Sequence, residues 1–335
     1  VLRKRYSVGT KDVQLSNTDL KHFELKTGRD TINFVVLSDD YDVKKPVLIF
    51  LQGSTPVPLA VDYNYNNERD LLVFSFLKGT TIEELKRKYH LVAISMPTVP
   101  LVVDVKNLDA NVWYVKEKEP ESIFHTEYHI ANVMSNYVKR TKKVIDYLYK
   151  QSWANKNHIS VFGHSQGAKI ALLASVNNKK VYKVGFSGGN PFGRTDHTLR
   201  GWRYAALMNG EHDQEQHYID SFYRAWEDMV KNPSSLEIEY ADANRTWLSF
   251  DEPLIPYFLK LKQPIYVCYG TVDPKSVMCD VLPIYFISAG KQNLTMKPYP
   301  GLEHNYCQVD EKLKPKGEGI WDEVMVAFVK WDIAQ

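Results

Sequence analysis

The sequence predicts an α/β fold: a mostly parallel central sheet covered by helices on both faces, interrupted by a helical cap insertion. Three observations carry this expectation. The apolar runs 46–51, 91–95, 158–162 and 265–269 have strand length and little alternation with polar residues, as strands buried on both faces do. Stretches with helical periodicity separate them. The interval from Gly188 to Ile265 is far longer than the dozen or so residues a simple crossover needs, so something is inserted there.

In chain order, two strand-like segments at 21–26 and 31–37, joined by a turn at Gly28 and Arg29, give an antiparallel entry. Run 46–51 closes on Gln52-Gly53-Ser54 and begins the buried sheet. A helix is expected at 81–89, where Thr81 and Glu84 have capping-box spacing. Ile130, Val133, Met134, Tyr137, Thr141, Val144, Ile145 and Leu148 recur at i, i+3, i+4, i+7, which predicts one long amphipathic helix over 128–149. Strand 158–162, Gly163 and a helix rich in Ala168, Ala171 and Ala174 follow, then strands at 183–186, 265–269 and 294–297. A last helix puts Trp321, Val324, Met325, Phe328 and Val329 on one face. Inside the insertion, Tyr218, Ile219, Phe222, Tyr223, Trp226, Met229 and Val230 have helical spacing. The insertion is also dense in aromatics, including Trp202, Tyr204, Tyr240, Trp247, Phe250, Tyr257 and Phe258. We expect most of these to form its own small core, with an underside able to line an apolar acyl pocket. The expected division is a core of 1–187 and 265–335 and a cap of 188–264.

The 335 residues are 44% hydrophobic, 24% charged and 13% aromatic, which excludes disorder and provides for a large core. With 42 basic and 40 acidic residues the formal charge is +2, too small for a nucleic-acid or anionic-membrane footprint. No apolar run approaches the roughly 18 residues of a membrane span. Cys268, Cys279 and Cys307 form no C-x-x-C pair; a Cys279–Cys307 bridge and unpaired thiols are the two readings. Val1 is not an initiator Met, and the expectation leans towards an exported chain whose signal has been removed, against a trimmed one.

The sharpest signal is Gly163-His164-Ser165-Gln166-Gly167, a G-x-S-x-G pattern between an expected strand and an expected helix. There a serine takes a strained backbone that lifts its hydroxyl above the sheet, and the flanking glycines let neighbouring backbone approach. By composition the pattern arises by chance in roughly one chain of this length in ten, so it needs partners. They follow in the order that chemistry requires: Asp273 after strand 265–269, and His304 on the turn Pro300-Gly-Leu-Glu-His304.

On these residues the chain resembles the α/β-hydrolase superfamily from about Pro46 to the C-terminal helix, its insertion standing where that family carries lids. The resemblance implies Ser165 as nucleophile, His304 as general base and then acid, and Asp273 as the acid that orients it. It implies an oxyanion hole from the backbone N–H of Gln166 and that of Ser54 or Gly53. Many members have His-Gly or His-Gly-Gly-Gly where this sequence has Gln52-Gly53-Ser54, which leaves the second donor open.

Other candidates lead elsewhere. His125 and His129 have the spacing of a zinc pair but lack the Glu after the first His, so no metal and no cofactor are expected. His212 and His217 lie in an acidic stretch that reads as a solvated face. The glycine-rich 187–193 lacks phosphate-loop spacing and reads as the turn into the cap. Arg194, Arg200 and Arg203 form a basic cluster near the pocket rim, read as solvated or with one arginine pairing an anionic substrate group. The expected function is a serine hydrolase that cleaves a carboxylic ester or thioester of a small acyl substrate through an acyl-enzyme. The alternatives are a small serine peptidase or aminopeptidase-like enzyme, and a non-catalytic binding protein. The few residues before Pro46 cannot form the propeller of a prolyl-oligopeptidase type, and a binding protein would have no need of all three of Ser165, Asp273 and His304.

Overall fold

Eight strands form one sheet in the computed structural model, which describes residues 20–28, 30–63, 69–115, 125–238, 240 and 242–334. They are β1 (Leu20–Thr27), β2 (Asp30–Leu37), β3 (Lys45–Leu51), β4 (His90–Ile94), β5 (Ala154–His164), β6 (Val184–Ser187), β7 (Ile265–Gly270) and β8 (Leu294–Tyr299). Their spatial order is β1-β2-β4-β3-β5-β6-β7-β8. β2 pairs antiparallel with β1 and β4, and the remaining pairs are parallel. A mostly parallel sheet needs both faces covered. Alternation along β3 does this: Val47, Ile49 and Leu51 enter one buried cluster, Leu48 and Phe50 the other. Arg29, expected in the first turn, lies outside the described residues, as does Val1.

Ten helices are described: α1 (Gly79–Lys88), α2 (Thr126–Ala131), α3 (Met134–Leu148), α4 (Gln166–Ser175), α5 (Arg194–Asn209), α6 (His212–Lys231), α7 (Asn244–Phe250), α8 (Ile255–Lys260), α9 (Leu282–Ser288) and α10 (Trp321–Ile333). Residues of α3, α4, α8 and α9 cover one face of the sheet. Residues of α1 and α10 cover the other. No helix among the described residues is long and apolar enough to cross a membrane. All three cysteines are unpaired thiols, with Cys268 and Cys279 buried.

Three expectations are corrected. The helix of 128–149 is two helices, because Val133 is extended (φ −133°, ψ 142°) and Ile130, counted on the apolar face, is exposed. The break places Asn132 among polar partners: its Oδ1 accepts from the Tyr137 hydroxyl at 2.9 Å and its Nδ2 donates to Asp242 at 3.0 Å. The capping box at Thr81 does not form, since α1 starts at Gly79 and Thr81 sits inside its first turn. In α6 the buried stripe is narrower than its apolar periodicity: Ile219, Phe222, Ala225 and Met229 are buried, whereas Tyr218, Tyr223 and Val230 are exposed.

Segment 188–264 holds α5 to α8. Phe222, Ala225, Met229 and Trp247 form a separate cluster, with Trp202, Trp226 and Tyr240 packed against it. Phe250, Leu254, Phe258 and Leu261 instead join the main core under the sheet.

Candidate active site

Parallel strands deliver their following loops to one edge, and the sequence-predicted residues all ride on such loops. Ser54 follows β3, Ser165 follows β5, Asp273 follows β7 and His304 follows β8. Ser165 has φ 58° and ψ −118°, a conformation costing about 1–3 kcal/mol, and its N–H is held by the Ser187 carbonyl at 2.8 Å. The motif's glycines permit this turn. A Cβ on Gly163 would collide with the Gly167 carbonyl, and one on Gly167 with the Leu51 carbonyl at the end of β3.

Asp273 and His304 meet. The Nδ1 of His304 lies 2.7 Å from Oδ2 of Asp273, which also accepts from the Ser276 hydroxyl at 2.5 Å, while Oδ1 accepts from the Lys275 N–H at 2.9 Å. Burial pushes the Asp273 carboxyl up, but the bonds from His304, Ser276 and Lys275 outweigh it and leave it below its ordinary value. His304 is half-buried, with its ring 4.8 Å from that of His164. His164 is the variable second residue of the motif, so its position as a wall behind His304 carried no sequence signal. It packs edge-on against Trp321 and its Nδ1 lies 2.9 Å from the Ser187 hydroxyl. Burial, with His304 alongside, holds it well below the usual imidazole value, so it stays neutral.

A cavity of about 290 Å³ opens over these loops, and Ser165, Gln166, Ser54 and His304 line it. Gly53 lines a second cavity with Ser54, Phe50, Phe76 and Trp321, and a Cβ on Gly53 would stand 3.5 Å from that of Ser165. The remaining lining of the first cavity is more polar than the aromatic content of the insertion suggests. Of the insertion's aromatics only Phe250 reaches it, whereas Arg194, His197 and Asp242 do. Arg194 is therefore not a solvated rim residue: its Nη2 lies 2.5 Å from Asp242 and its guanidinium covers the Trp247 ring. Arg200 is more exposed and pairs with Asp196, and Arg203 is bonded to Gln216. Lys169, Asn132 and Tyr128 also line the cavity and were not singled out by sequence reasoning. His125 and His129 are buried near the Tyr128 ring, and His212 and His217 are exposed on α6.

No family model and no curated protein matches the sequence. Solved structures do resemble it. Dipeptidyl peptidase 4 of Porphyromonas gingivalis superposes with a TM-score of 0.53 at 9% identity over 94% of this chain and 35% of that one. The acylaminoacyl peptidase of Pyrococcus horikoshii gives 0.52 at 10% identity over 88% of this chain and 39% of that one. An E-2-(acetamidomethylene)succinate hydrolase gives 0.51 at 14% identity over 93% of this chain and 99% of that one. The chain thus spans little more than a third of the two peptidases and nearly all of the third protein. At such identities the likeness is one of fold.

Proposed function

From a chain that has the α/β-hydrolase fold, we propose a serine hydrolase that cleaves a small carboxylic ester or thioester through an acyl-enzyme. The observation that carries this reading is the 2.7 Å contact between His304 and Asp273 beside a strained Ser165, with Ser165 and His304 on the wall of one cavity. Asp273 engages Nδ1 of His304, so Nε2 is the basic nitrogen that takes the Ser165 proton as Oγ attacks the carbonyl carbon. The backbone N–H groups of Gln166 and Ser54 receive the oxyanion, a contribution of roughly 10²–10³ in rate per donor. Ser54 is preferred to Gly53 because it shares the cavity wall with Ser165. The intermediate collapses, His304 returns the proton to the leaving oxygen or sulfur, and water repeats the cycle to release the acid. Segment 188–264 works as a cap, supplying cavity walls through Arg194, His197, Asp242 and Phe250 and no reacting group.

An aminopeptidase-like reading is disfavoured by charge. A free amino terminus needs an uncommitted carboxylate, and Asp242, the one carboxylate of the cavity lining among the described residues, is bound by both Arg194 and Asn132. The test is labelling by a small fluorophosphonate followed by turnover of ester, thioester and aminoacyl-amide panels. We expect Ser165→Ala to abolish labelling and to cost several orders of magnitude in ester turnover, with unchanged thermal unfolding. Retained turnover in a clean Ser165→Ala preparation refutes the assignment.

A further inference from the structure

Among the described residues, the cavity above Ser165 contains a buried cation with no ion-pair partner. Lys169 lies in the first turn of α4, four positions after Ser165 in the chain, and both residues line the cavity. Lys169 is only 5% exposed, and its Nζ reaches a backbone carbonyl, that of Phe250, at 3.5 Å. Asp251 and Asp196 act on it from nearby, yet among the described residues no carboxylate forms an ion pair with it. Asp242 is paired with Arg194 at 2.5 Å, Asp251 accepts the Thr195 N–H and hydroxyl, and Asp196 accepts from Arg200 and Asn190. Arg194, balanced by Asp242, still acts on Lys169, and Lys275 stands at the exposed mouth. Burying a cation without a partner is costly, and an anionic ligand group removes that cost.

We propose that the acyl group of the substrate carries a carboxylate, which Lys169 binds as its missing counter-ion. The substrate class is an ester or thioester of a short dicarboxylic acid: nucleophile and cation line one cavity of about 290 Å³, so few methylenes fit between carbonyl and carboxylate. This inference rests on the serine-hydrolase reading.

The geometry has a pH signature. Burial, and then the Arg194 charge, hold Lys169 down to about 7, while Asp251 and Asp196 act in the opposite direction. His197, the remaining titratable neighbour on α5, is kept well below its ordinary value by burial and stays neutral across this range. Lys169 is thus charged in the free protein below about pH 7 and loses its charge above it.

The experiment compares kcat/KM for monobenzyl glutarate, neutral benzyl pentanoate and 4-carboxybenzyl pentanoate, whose charge lies in the leaving group. The ratio of the first two cancels the pH dependence that both reactions share. In the wild type we expect glutarate to be favoured at least tenfold at pH 6, with the preference falling as pH rises through about 7. In Lys169→Met the ratio should drop to near one at all pH values. No glutarate preference in the wild type overturns the proposal without reference to any variant. So does a preference for 4-carboxybenzyl pentanoate alone, a preference that survives Lys169→Met, or an equal loss of all three substrates in that variant. Fluorophosphonate labelling separates the two levels: labelled Ser165 with neutral-ester turnover but no anion preference refutes this inference only, whereas an unlabelled Ser165 refutes the serine-hydrolase reading beneath it.

Discussion

At the residue scale, the groups best read from sequence are those whose backbone context is fixed by short-range rules. Gly163 and Gly167 flank Ser165 because any Cβ there meets a carbonyl, and this requirement is written into five consecutive letters. Asp273 and His304 were found by chain order after strands. Lys169 was not found, since a lysine at the fourth position of a helix reads as a solvated side chain until neighbouring helices bury it. That burial gives a stability prediction. A lysine whose pKa falls from about 10.5 unfolded to about 7 folded leaves the unfolded chain binding more protons between those values, so stability rises with pH across that window. Replacing Lys169 by Met should therefore stabilise the protein most at and below pH 7, by up to about 4 kcal/mol, with the gain shrinking towards pH 10. Urea unfolding at pH 6.5, 8 and 9.5 measures this, and a gap independent of pH would mean that the lysine is not held neutral by its surroundings.

At the element scale, the strands were more legible than the helices. Continuous apolar runs such as that of β3 have few alternatives in a sheet buried on both faces, and its alternate residues do enter opposite cores. The helix of 128–149 was misread because periodicity reports the side a residue would face and not whether the backbone stays helical. The break costs helical hydrogen bonds, but it gives Asn132 three polar partners. Its side chain meets Tyr137 and Asp242, while its carbonyl accepts the Thr246 hydroxyl at 2.8 Å. Asn132→Leu should improve local apolar periodicity and still destabilise the protein, by about 2–4 kcal/mol, because the buried Tyr137 hydroxyl and Asp242 each lose a partner. Equilibrium denaturation decides it; a neutral or stabilising result would show that these bonds are replaced by water at the cavity.

At the scale of the whole molecule, the segment between β6 and β7 is energetically two pieces. Its outer part, α5 and α6, packs around a small cluster centred on Phe222, Met229 and Trp247. Its final part, from Phe250 to Leu261, is built into the main core beneath the sheet. At roughly 1.5–3 kcal/mol per buried large apolar side chain, the outer cluster is held by few residues and the sheet by many. Polar contacts tie the segment to the helix break, from Asp242 and the Thr246 hydroxyl to Asn132 and from Ser249 to the Met134 N–H. On the proposed reading of this segment as a cap that admits substrate and then excludes water, it should come from the low-stability end of the molecule. We therefore expect native-state hydrogen exchange to find α6 opening at a free energy several kcal/mol below that of β5, while α8 exchanges with the core. Phosphonylation of Ser165 with a carboxylate-bearing reagent should slow exchange in α5, because a ligand anion at Lys169 completes the wall that Arg194 and His197 share. If α6, α8 and β5 exchange in a single cooperative step, the segment is a fixed part of one core and substrate must enter by a route that leaves it in place.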